Sequence, residues 1–114
     1  MKRIESPVEK WPGTVGLREN LYLPQTTAVL DAVDEVGFLK KKDGEQITIK
    51  LQDHLTLLPA ILDCIEEWNI EGLERPTSEK DFPGNPLGAA NRLASWLFNE
   101  VFDLVMFGDT VPNE

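Results

Sequence analysis

The sequence predicts a mainly α protein: a small single domain of three main helices with a short two-stranded β element near the N-terminal half. Three observations predict it. The chain has 114 residues, the size of one domain. Two long stretches carry apolar residues three and four apart, the period of a helix with one buried face. Only two short stretches, Gly13–Leu17 and Ile47–Leu51, alternate with the period of a strand. The expected organisation is an extended arm over residues 1–12, a helical domain over 13–108 and a tail over 109–114.

In chain order, the arm holds Pro7, Pro12 and mixed charge, and Trp11 is the residue expected to pin it to the domain. Gly13–Leu17 reads as a short strand ending in the turn composition Arg18-Glu19-Asn20. Pro24 suits a first helical turn, and Val29, Val33 and Val36 form the inward stripe of a helix closed near Gly37. A charged turn around Asp43-Gly44 leads to Ile47–Leu51, the second expected strand; whether the two strands pair is left open. Leu58, Ile61, Leu62, Ile65 and Trp68 then mark the central amphipathic helix, with Asp63, Glu66 and Glu67 outside. Pro59 lies within that pattern. Either an irregular lead-in precedes a helix from Pro59 to Trp68, which is favoured, or a helix from Asp53 kinks at the proline.

Gly72 and Pro76 belong to a polar loop, and Ser78–Phe82 to a single helical turn. Asn85-Pro86 signals the start of the last helix, which should reach Phe107 and close at Gly108. Leu93, Leu97, Val101 and Leu104 form one stripe on it; Phe98, Phe102, Val105 and Met106 form a second. The second stripe has two readings of equal weight. Either it packs into the core, or it is a partner-binding surface for another protein or a second copy.

Composition narrows the function. Twenty Asp and Glu against eleven Lys and Arg give a formal charge of -9. Nucleic acid needs clustered positive charge, so it is not an expected ligand. The acidity reads first as solubility, and second as attraction to a basic partner or mimicry of DNA. Cys64 stands alone in an apolar stretch, which argues against a disulfide framework and a Cys-based zinc site and fits a reducing cytoplasm. No stretch approaches the roughly 20 apolar residues of a membrane span, and the first residues lack the apolar core of a signal peptide.

Catalysis is not the expected role. His54 is the single histidine, and beside Asp53 at a helix start it reads as a capping or surface residue. No second histidine exists to activate Cys64. Glu66 and Glu67 are adjacent, so on a helix they diverge by about 100° and cannot act as a pair. The glycines match no phosphate-cradling spacing. No metal, cofactor or small-molecule substrate is expected.

Several segments resemble phage tail assembly chaperones of long non-contractile tails. They are Gly13-Thr14-Val15, a helix ending Ile65-Glu66-Glu67-Trp68-Asn69, Gly72, Pro76-Thr77, Glu79–Pro83, and a final helix beginning near Pro86. The loop departs from the pattern at Leu73-Glu74-Arg75. The resemblance implies a non-catalytic protein of the host cytoplasm. Such a protein binds the tape-measure protein, keeps it soluble and helps recruit tail-tube subunits. It also implies that a longer frameshifted form can accompany a short one. Two other readings are an acidic phage inhibitor or adaptor acting on a host protein, and a structural component of the head–tail joint.

Overall fold

In a computed structural model, which describes residues 1–47 and 49–107, three strands and three helices share one core. The strands are β1 (Lys2–Glu5), β2 (Gly13–Leu17) and β3 (Ile65–Ile70); the helices are α1 (Leu23–Val36), α2 (His54–Leu62) and α3 (Leu87–Phe107). The sheet is antiparallel in the order β1-β2-β3, so β2 is central. The expected mainly α fold with two strands is therefore corrected: this is a small α/β domain with three.

Three local readings change with it. The expected arm contains an edge strand. Ile4 faces Val15 across the β1–β2 pair and is buried with it. Val8 and Trp11, in the connection to β2, also reach the core. The close packing of β2 on β3 requires Gly13, whose φ is 132°. A Cβ there would run into the Asn69 carbonyl.

The expected helix Pro59–Trp68 is two elements. A 3-10 turn at Leu51–Asp53 runs into α2, which carries Pro59 on its exposed side and ends at Leu62. The chain reverses at Asp63-Cys64 and continues as β3. Leu17 faces Ile65 while Gly16 faces Glu67, so Glu66 is an extra residue, a β-bulge. The inward residues of β3 are consequently Ile65, Trp68 and Ile70, three apart and then two. That spacing continues the phase of Leu58, Ile61 and Leu62 and imitates one uninterrupted helix.

The expected strand Ile47–Leu51 pairs with no strand among the described residues. Residues 38–47 form a strap across α3. Phe38 packs at 6.0 Å, centroid to centroid, on Phe98. Lys41 Nζ meets Asp103 Oδ1 at 2.5 Å with its side chain fully enclosed. Ile49 is buried.

The first helix agrees with expectation. Pro24 lies in its first turn, Val29 and Val33 are buried, and Gly37 closes it at φ 86°. The Gly37 N–H donates to the Asp34 carbonyl and Phe38 N–H to that of Val33. The start of α3 shifts to Leu87, with Ala90 N–H donating to the Pro86 carbonyl. The expected closure at Gly108 and the tail 109–114 lie outside the described residues.

One face of the sheet, with Ile4, Val15, Leu17, Ile65 and Ile70, joins Val33, Leu57, Ile61, Leu93, Leu97, Phe98, Val101 and Phe102 in a continuous core. On the other face Arg3, Gly16 and Glu67 stand in one row. Arg3 Nε donates to Glu67 Oε1 at 3.1 Å across the central strand, and a Cβ at Gly16 would run into the Met1 side chain.

Candidate functional site: an apolar groove between two helices

The structure divides the predicted partner-binding stripe. Phe98 and Phe102 are 1% and 0% exposed, stacked 5.8 Å apart under the strap. They are core, and the contact role expected of them is corrected: an all-apolar ring beneath Phe38 and Lys41 cannot touch a partner without unfolding the strap. Val105 is half-buried and Met106 is exposed. The helix looked apolar nearly all round because the strap buries a second face of it, beyond the face that packs on the sheet.

Three other exposed apolar side chains gather around one concavity. Leu51, Leu55 and Leu87 are 49%, 63% and 55% exposed. They rim a groove of about 220 Å³ between α2, the N-terminal half of α3 and the 3-10 turn Glu79–Asp81. Leu51, Leu55 and Leu58 are four and three apart, one stripe on the 3-10 turn and α2. Leu87, Ala90 and Ala94 are three and four apart on α3, and the two alanines leave the floor low. Phe82 and Pro83 form the end wall.

Two polar features enter this apolar surface. His54, 7% exposed, places Nε2 2.7 Å from Asn91 Oδ1, within hydrogen-bond distance. Its Nδ1 is buried without a hydrogen-bond partner among the described residues, at a cost of about 1–3 kcal/mol. His54 is thus a wall residue tying α2 to α3; of the capping or surface roles the sequence suggested, the surface one is corrected. The second feature is Glu79, the one acidic residue among the described residues that line the groove, and it joins no ion pair among them.

The turn bearing Glu79 is held in place by its neighbours. Ser78 Oγ accepts from Lys80 N–H at 3.2 Å, and Asp81 Oδ1 accepts from the N–H groups of Ser78 and Thr77 at 3.0 and 3.1 Å. Those bonds, led by that from Ser78, hold the Asp81 carboxyl below its ordinary pKa. The Ser-x-x-Asp spacing was readable as a cap; the groove it helps shape was not.

Reactive groups do not converge here. Burial, reinforced by Asp63, pushes the Cys64 thiol up to about 11 although Arg18 opposes the shift. Among the described residues no three His, Cys, Asp or Glu side chains lie together as a metal cage, and no helix is long and apolar enough to cross a membrane. A groove of this volume lies below the roughly 300–1,000 Å³ of small-molecule sites. It fits one or two apolar side chains of a protein. Compared with protein-family models, with curated proteins and with solved structures, the chain matches none.

Proposed function

We propose that this chain is a non-catalytic binding protein that holds an apolar segment of a partner in the α2–α3 groove. The observation that carries the reading is the rim of three exposed leucines around a low floor of alanines. Solvated apolar side chains lining a concavity are a recurring mark of a contact site, and each leucine covered contributes about 1.5–3 kcal/mol at most.

The specific role proposed is that of a phage tail assembly chaperone, keeping the tape-measure protein soluble in the host cytoplasm and helping to recruit tail-tube subunits. Its support is the sequence resemblance together with a groove suited to apolar client segments. One part of the resemblance lends nothing to it: Trp68-Asn69, expected at a helix end, belongs to β3. The reading as an acidic inhibitor or adaptor has less support. Exposed carboxylates are distributed over β1 (Glu5), α1 (Asp31, Asp34, Glu35), the strap (Asp43, Glu45) and β3 with its following loop (Glu66, Glu71, Glu74), not ranked on one element.

The test is co-expression with the tape-measure protein encoded in the same genome. The wild-type chain should keep it soluble as a complex and Leu55→Asp should not. A tape-measure protein equally soluble, or equally aggregated, with both would overturn the reading.

A further inference from the structure

We infer that the groove selects an amphipathic helix whose apolar face is flanked by basic residues. The inference rests on the groove being the binding surface, and adds the shape and charge of the occupant.

Shape follows from the walls. Two helical stripes, one through Leu55 and one through Leu87, line the groove. A third helix laid between two such stripes buries side chains at three- and four-residue spacing, as in other helix-in-groove complexes. The space over Ala90 and Ala94, about 220 Å³, takes one or two of them. An extended strand would instead need an open sheet edge for its backbone. One free edge of the sheet here, β3, is partly covered: Arg75 Nη2 donates to the Ile65 carbonyl at 2.6 Å.

Charge follows from Glu79. It lines the groove, and among the described residues no lysine or arginine lines it and no cation pairs with Glu79. The whole chain carries -9. A helix with lysines beside its apolar stripe meets an unpaired carboxylate and a favourable long-range field; one with glutamates meets repulsion from both.

The experiment uses two synthetic helical peptides of about five turns, roughly 18 residues. They share one apolar face and differ in carrying lysine or glutamate flanks. A third, proline-interrupted version of the lysine peptide cannot form the helix. Binding to the intact chain is followed by fluorescence anisotropy.

The lysine peptide should bind about 1.4- to fivefold more tightly than the glutamate peptide, the range one solvent-exposed ion pair supplies. The gap should shrink as salt cuts the Debye length from about 30 Å to about 3 Å. Glu79→Gln should narrow it with the melting temperature unchanged, and the proline-interrupted peptide should not bind. Equal binding of both flank types would overturn the charge selection and leave the apolar groove standing. So would a gap that Glu79→Gln does not narrow, since the selecting charge would then lie elsewhere. Equal binding of the interrupted peptide would overturn the helical occupant. If no peptide binds, or if Leu55→Asp leaves binding unchanged, the groove itself is not the site.

Discussion

Asn99 gives Ile47 the pairing that a neighbouring strand would have given it. Its Oδ1 accepts from the Ile47 N–H at 3.2 Å and its Nδ2 lies 3.4 Å from the Ile47 carbonyl, while the same amide donates to the Ser95 carbonyl at 2.8 Å. One buried side chain on α3 thus fastens a segment with strand-like alternation to the helix instead of to the sheet. Asn99→Ala leaves the Ile47 backbone groups without that partner and should cost about 1–3 kcal/mol. Chemical denaturation measures the cost, and amide hydrogen exchange should place the loosened region in residues 38–47. Unchanged stability would mean that the strap is held elsewhere.

The two halves of the former contact stripe should respond oppositely to charge. Phe102→Asp replaces a fully buried aromatic ring beside Phe98 with a carboxylate, and the cation above it, Lys41, is already paired with Asp103, so the domain should unfold, a loss above about 4 kcal/mol. Met106→Asp, at a 40% exposed position, should stay within about 0.5 kcal/mol of the parent. Thermal unfolding of both variants decides it. A stable Phe102→Asp would return that residue to the surface.

Asp81 sets the acid response of the turn that carries Glu79. Its pKa is lowered in the folded chain from the ordinary 3.8 by the Ser78 and Thr77 N–H groups. The sign follows: the stability it contributes is fully present above the unfolded value and is lost as pH falls through the lowered, folded one. Exchange of the Thr77 and Ser78 amides, corrected for its intrinsic pH dependence, should accelerate only below the ordinary carboxylate range. Titration of Asp81 at or above 3.8, followed by NMR, would contradict this.

Cys64 should be inert. With its pKa raised to about 11 by burial, the thiolate fraction at pH 8 is on the order of a thousandth. A thiol reagent should label the folded chain far more slowly than the chain in denaturant. Rapid labelling under native conditions would show that the α2–β3 turn opens.

Much of the fold was legible where one rule acted alone. Gly13–Leu17 and the helix from Pro24 to Gly37 each carry a period and a stop signal that agree, and the last helix carries an unbroken period. Where two rules competed, the pattern misled. The bulge at Glu66 gives β3 a three-residue step, so Ile65 and Trp68 extend a helical phase that ends at Leu62. Lys2–Glu5 shows one apolar residue, too few to reveal period two, and its strand character comes from pairing with β2. The burial of Phe98 and Phe102 depends on a strap whose path is set by Asn99 and Lys41, and no local pattern announces that. The groove was invisible for a related reason. Leu55 and Leu87 read as ordinary apolar positions, and only the crossing of α2 and α3 leaves them in water.

The most direct test of the groove is a residue-resolved map of binding. In ¹⁵N–¹H spectra, the lysine-flanked amphipathic peptide should shift Leu55, Leu58, Leu87, Ala90 and Ala94 and leave the Arg3–Gly16–Glu67 face of the sheet unmoved. Shifts confined to that sheet face, or to the Met106 end of α3, would contradict the account and place the binding surface there.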